Sequence, residues 1–241
     1  MTYLTGFADA HMHSNDVDTM GGYPDIDGAS ILLSCTAKYD QWEHVSETAA
    51  EDDRVYPFYG MHPWYVNDAP SDLPDLLRSF LEEHPRSGVG EIGLDEGHPD
   101  YEKQIGLFNE QLKVAAEIDR PVTMHMLHET PDILRSVKKY GRGVPIILHS
   151  FSGPDSYIKA FEKEDCYFSV SPRILRKSAT KITQLLKEIP EDRLLIETDA
   201  PMRDRHCFTM SAFIEALSPC LGMTPQELID LTKRNTERVI A

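Results

Sequence analysis

Apolar residues along this chain gather in short runs separated by stretches of mixed polarity. Eight such runs read as strands: Leu4 to Ala10, Ala29 to Cys35, Val55 to Met61, Ser87 to Leu94, Pro121 to His125, Val144 to His149, Tyr167 to Val170 and Arg193 to Thr198. Between them the spacing turns helical, most clearly at Ile105, Phe108, Leu112, Ala115 and Ala116, which fall on one stripe. Helix starts are marked as well. Thr130-Pro131 predicts an N-cap followed by proline at the first helical position, and Thr224-Pro225-Gln226-Glu227 adds the glutamate of a capping box.

Strands that alternate with helices predict a parallel sheet, and a run as continuously apolar as Val144-Pro145-Ile146-Ile147-Leu148 predicts that both sheet faces are covered. Eight units make the expectation an α/β protein with a (β/α)8 TIM barrel. A doubly wound open sheet is the alternative, but no glycine-rich dinucleotide fingerprint follows the first strand. The chain shows no internal repeat, long linker or low-complexity tract, so residues 1–241 are read as one domain. The acidic, glycine-containing segment Asn15 to Gly28 reads as an irregular first loop over one barrel mouth.

Composition narrows the picture. Hydrophobic residues at 41% and charged residues at 27% describe a globular protein rather than a disordered or fibrous one. A formal charge of −16 opposes a broad nucleic-acid-coating surface but leaves room for a local phosphate site, because screening confines exposed charges to about 8 Å. Cys35, Cys166, Cys207 and Cys220 are scattered, with no CxxC spacing, which fits a reducing compartment. The N-terminus has no basic region and no apolar run nears the roughly 18 residues of a membrane span. The expectation is a cytoplasmic protein with no membrane association and no obligate protein partner.

Candidate chemistry sits at the strand ends. His11, His13, Glu91, His125, His149 and Asp199 all lie late in or just after their predicted strands, where barrel enzymes carry their active sites. In Phe7-Ala8-Asp9-Ala10-His11-Met12-His13 the period of two puts both imidazoles on one face. Imidazole and carboxylate without clustered thiolates suit magnesium, manganese or zinc, and the set is read as ligands for one or two divalent ions. Glu91, bracketed by Val89, Gly90, Ile92 and Gly93, requires a partner in so apolar a run.

Asp199 is the candidate both for metal ligand and for proton acceptor from the nucleophilic water. Glu197, two residues earlier on the same face, supports a histidine or the substrate, with a buried ion pair to an arginine as the alternative. Asp9 is a candidate for fixing an imidazole tautomer. His62, after the third strand, is set to contact a substrate oxygen or else to pack beside Pro63. Arg173, Arg176 and Lys177 after the seventh strand, with Arg203 and Arg205 after the eighth, are candidates for clamping phosphate, against the alternative of a solvated loop.

The ordered motifs resemble the TatD family of metal-dependent deoxyribonucleases, a branch of the amidohydrolase-like barrels. They are Asp9-Ala10-His11-Met12-His13, Gly60-Met61-His62-Pro63-Trp64, Gly90-Glu91-Ile92-Gly93-Leu94-Asp95, Gln104 to Leu112, Pro121 to His125, His149-Ser150-Phe151-Ser152-Gly153 and Ile196-Glu197-Thr198-Asp199-Ala200-Pro201. The resemblance implies that His11, His13, Glu91 and Asp199 hold one metal and Glu91, His125 and His149 a second, with Glu91 bridging. It also implies phosphodiester hydrolysis with DNA as substrate. Three positions depart from the family pattern: Leu127 stands where an arginine is usual, only Met202 to Cys207 precede the next helical segment, and Glu96-Gly97 replaces an aromatic pair. Leu127 and the short final loop favour an alternative, hydrolysis of a small amide, lactone or phosphoester on the same metal site. A non-catalytic metal-bound binding protein is the alternative of another class.

Overall fold

The computed structural model describes residues 3–16, 23–127, 130–201 and 209–241. Eight parallel strands run in sequence order around one sheet: β1 (Phe7–Met12), β2 (Ala29–Cys35), β3 (Val55–Tyr59), β4 (Gly88–Asp95), β5 (Val122–Leu127), β6 (Ile146–Leu148), β7 (Cys166–Val170) and β8 (Leu194–Ile196). Helices α1 (Trp42–Glu51), α2 (Leu73–Glu83), α3 (Tyr101–Glu117), α4 (Thr130–Tyr140), α5 (Asp155–Phe161), α6 (Ala179–Glu188), α7 (Met210–Leu221) and α8 (Pro225–Val239) alternate with the strands or follow the last of them. The barrel closes between its first and last strands through a bridge from Met12 to Ala200. His13 N donates to Ala200 O at 2.8 Å and Asp199 N to His11 O at 3.0 Å across the same seam. This is the (β/α)8 barrel expected, and no described helix is long and apolar enough to cross a membrane.

Alternation along the strands fills two cores. Ala10, Leu33, Cys35, Phe58, Ile147 and Leu195 form a small cluster inside the barrel, with Val239 joining it. Their neighbours Leu32, Ile146, Leu148, Leu194 and Ile196 belong to the larger cluster under the helices, with Phe108, Leu112, Val137, Phe213 and Leu228. On α3 the buried stripe also carries Gln104 and Gln111. Each is spent on the barrel rim: Gln111 accepts from Met61 N at 2.8 Å, and Gln104 accepts from Asp95 N at 2.9 Å.

Strand limits differ from the sequence reading for local reasons. β1 starts at Phe7 rather than Leu4 because Gly6 takes a left-handed φ of +84°. β3 ends at Tyr59 because the Gly60 backbone is diverted to side chains. Its carbonyl accepts from Trp42 Nε1 at 3.1 Å and its N–H donates to Thr36 Oγ1 at 2.9 Å. The capping box at α8 forms as read, with Thr224 and Glu227 bonded reciprocally. Of the segment Asn15 to Gly28, residues 17–22 lie outside the described residues. Beyond them Asp25 turns inward to accept from Met210 N and Ser211 N at the start of α7, so that end of the loop is a buried anchor.

Candidate metal centre

Two register slips aim the ligands. On β1, Asp9 pairs with Leu32 but Met12 pairs with Ser34, so three steps on β1 match two on β2. On β4, Val89 pairs with Val122 but Ile92 pairs with Met124, again one residue extra. Bulges of this kind re-aim side chains next to active sites. The slip on β1 brings His11 and His13 into the mouth, and the slip on β4 does the same for Glu91. Gly90 is required beside it, since a Cβ there would overlap Thr123 Cγ2 on β5.

The Glu91 carboxylate lies at the middle of five imidazoles. It is 3.0 Å from His125 Nδ1, 3.3 Å from His11 Nε2, 3.4 Å from His62 Nε2, 3.6 Å from His13 Nε2 and 3.9 Å from His149 Nε2. Asp199 Oδ1 is 3.8 Å from His13 Nε2 and 3.9 Å from His11 Nε2. Asp199 reaches this place with a left-handed φ of +57°, which aspartate tolerates better than most side chains. Among the described residues, three groups of donor atoms lie close enough to share an ion: His11 with Glu91 and His149, His11 with His13 and Asp199, and His62 with Glu91 and His125.

What each ring's other nitrogen touches decides its tautomer. His13 Nδ1 is 2.9 Å from the Cys35 carbonyl, so Nδ1 carries the proton and Nε2 offers its lone pair. His149 Nδ1 is 2.7 Å from Glu197 Oε1, with the same result. His11 Nδ1 is 3.3 Å from Thr123 Oγ1 and its Nε2 faces His13 Nε2 at 3.2 Å. Two lone pairs that close require a cation between them or a proton on one ring. His125 is reversed: it faces the site with Nδ1, which hydrogen-bonds Glu91 Oε1 at 3.0 Å, while Nε2 lies 3.5 Å from Asp95 Oδ2. His62 differs from all four. Its Nδ1 accepts from Trp64 N at 3.2 Å, so its Nε2 carries the proton and is a donor into the site rather than a ligand.

Charge follows the same logic. Burial opposes a charged Glu91, but the imidazoles of His62, His11 and His149 hold its carboxyl well below the usual range. Burial likewise opposes a charged His149, yet Glu197, Glu91 and Asp199 raise it to about 9. Against burial, Asp95 and Glu91 raise His125 to about 9. Carboxylates that favour a proton at these nitrogens also favour a metal cation in its place. Burial pushes His62 down to about 4, so it is a neutral donor at physiological pH. The donor set, the tautomers and the facing nitrogens of His11 and His13 therefore fit a divalent ion.

Every candidate ligand from the sequence meets in this one place. Glu197 Oε1 lies 2.7 Å from His149 Nδ1, beside a histidine rather than an arginine. Asp9 does not fix an imidazole. The slip on β1 separates it from the His11 ring, and its oxygens accept from Thr198 N at 2.9 Å, Thr198 Oγ1 at 2.5 Å and Tyr23 Oη at 2.6 Å. Burial pushes its carboxyl up to about 6 against those donors, and its work is to join β1 to the end of β8. Arg173 Nη2 reaches Asp199 Oδ2 at 3.0 Å. Arg176 and Lys177 border the same cavity of about 910 Å³, together with Trp64, Tyr65 and Tyr157. Arg203 and Arg205 lie outside the described residues. The sequence reading missed the groups that hold the rings, Thr123, Asp95 and the Cys35 carbonyl. Thr123 was signalled by its spacing of two from His125.

Residues 8–241 match the sequence profile of the family described as TatD related DNase. The chain is 28% identical over 206 residues to an uncharacterized metal-dependent hydrolase, YabD, of Bacillus subtilis, covering 80% of each chain. It is 27% identical over 177 residues to the 3'-5' ssDNA/RNA exonuclease TatD of Erwinia tasmaniensis, covering 72% of this chain and 68% of that one. The fold superposes with a TM-score of 0.84 on the crystal structure of YjjV, a TatD homolog from Escherichia coli, at 24% identity and 97% coverage of both chains.

Proposed function

This chain belongs to the TatD-related DNase family, and on that premise we propose that it hydrolyses phosphodiester bonds, with DNA as the substrate. It is a metal-dependent hydrolase. The observation that carries the reading is the Glu91 carboxylate set among imidazoles whose lone pairs converge, with Asp199 and Arg173 paired at 3.0 Å beside them.

His11, His13, His125, His149, Glu91 and Asp199 are the residues we assign to the metal. Divalent metal held there supplies Lewis acidity toward a phosphoryl oxygen and makes water more acidic. Asp199 Oδ1 takes the proton of the attacking water. Arg173 Nη2, already aimed into the site, binds a non-bridging phosphate oxygen, and Arg176 borders the path of the same group. His62 Nε2–H donates to a substrate oxygen that arrives next to Glu91. Glu197 keeps His149 in its ligand tautomer. The free thiols of Cys35, Cys166 and Cys220 accord with a reducing, cytoplasmic setting.

Digestion of end-labelled single-stranded DNA by metal-loaded protein tests this, with Asp199→Asn purified in parallel. Asparagine keeps the size and tolerates the left-handed backbone, so the variant removes charge and basicity without distorting the turn. Cleavage at least 100-fold slower in the variant is expected, the usual contribution of a general base being about 10²–10⁴. No cleavage by the wild-type protein with metal bound would move the function to a small-molecule ester or amide.

A further inference from the structure

Trp64 is 46% exposed, whereas the chain's other tryptophan, Trp42, is 1% exposed. Leaving an indole in water forgoes the burial that makes aromatic side chains valuable to a core. Nor is this ring loose. Its Nε1 donates to Asp95 Oδ2 at 2.5 Å, its plane stacks on His98 at 4.5 Å and 19°, and it forms a T-shaped pair with His62 at 4.9 Å and 84°. Its centroid is 6.1 Å from that of His125. A flat apolar surface is thus held rigidly at the wall of the catalytic cavity.

We propose that Trp64 is the platform on which an unpaired nucleobase of the substrate stacks beside the scissile phosphodiester. The assignment rests on the phosphodiesterase reading and adds to it the residue that receives the base. A second observation selects a base over other flat ligands. From Arg173 to Lys187 the sequence carries five cations, Arg173, Arg176, Lys177, Lys181 and Lys187, and no acid, in a chain of net charge −16. Lys177 borders the catalytic cavity and also a neighbouring groove, which Lys181, Lys187 and one acid, Glu188, line with it, three cations to one carboxylate.

An aromatic surface for bases joined to a cationic groove for the backbone is the chemistry that binds single strands. A duplex hides its base faces, a neutral sugar would have no use for the cations, and a small phosphoester would not reach Lys181 and Lys187.

The test uses metal-loaded protein and two probes whose phosphorothioate linkages resist hydrolysis: trithymidylate, and the same trimer built wholly of abasic units. Affinity is read by anisotropy of a labelled probe and stacking by tryptophan emission. The base-bearing trimer should quench the exposed indole and bind roughly tenfold more tightly than the abasic one, stacking being worth about 1–3 kcal/mol per base. Trp64→Ala should erase that advantage and leave the abasic affinity within about twofold, while Trp64→Phe keeps most of it.

An advantage that survives in Trp64→Ala, or no advantage in the wild-type protein, overturns the assignment. If the wild-type protein still cuts end-labelled single strands in that case, the phosphodiesterase reading stands and only Trp64 loses its role. If neither probe binds and no DNA is cut, both fall.

Discussion

Glu197→Gln is the sharpest probe of the centre because it alters no proposed ligand. Glu197 is fully buried. Its Oε1 lies 2.7 Å from His149 Nδ1 and accepts from Ser150 N at 2.8 Å, while its Oε2 has no hydrogen-bond partner among the described residues. In the glutamine variant the amide oxygen takes the place of Oε1 and keeps both contacts, but as a neutral acceptor. The amide nitrogen takes the place of Oε2 and brings two buried donors to a position that makes no hydrogen bond in the wild-type protein.

Two costs follow. An unsatisfied buried donor lowers stability by about 1–3 kcal/mol. Loss of the charge behind a ligating imidazole lowers metal affinity by about 10- to 100-fold, or roughly 1.4–2.7 kcal/mol. Competition against a chromophoric chelator measures the second cost, and thermal unfolding with and without metal measures both. Because bound metal stabilises by RT ln(1 + [L]/Kd), the metal-induced rise in Tm should shrink in the variant. Affinity within twofold of wild type would show that Glu197 does not set His149, and the tautomer argument for this ring would fail.

Arg173→Ala should raise KM for a phosphodiester by about tenfold while changing kcat less, the lower end for a hydrogen bond to a charged group because the guanidinium is partly exposed. Steady-state kinetics checks it, and an unchanged KM removes Arg173 from phosphate binding. Gly90→Ala forces β4 from β5 at Thr123 and should cost about 1–3 kcal/mol or more, with weaker metal binding because Glu91 is the next residue. Denaturant unfolding checks the first part and chelator competition the second; a wild-type midpoint would mean that the strands can separate there without penalty.

The barrel and the gathering of the proposed ligands at one mouth were legible in the sequence because both rest on local pattern. Strand and helix periods differ, and His11, Glu91, His125, His149 and Asp199 each end an apolar run. What the pattern hid was anything created by a change of register. Asp9 and His11 share a face in an unbroken strand, and only the extra residue between Asp9 and Met12 parts them. The partners of the ring nitrogens were hidden for a related reason: Asp95 and the Cys35 carbonyl meet their histidines from neighbouring strands and Thr123 meets His11 from a strand that does not pair with β1, contacts that no single segment encodes. Trp64 was visible as part of a motif, but its exposure follows from how Asp95 and His98 hold it.

The closing seam has a consequence for when this protein becomes active during its synthesis. His11 and His13 leave the ribosome well before Asp199, Thr198 and Ala200, which bind them or their strand across the seam. The centre cannot assemble until the last strand docks against the first. A fragment that stops before β8 therefore carries five of the six proposed ligands, and the proposed site is complete only when the barrel is whole.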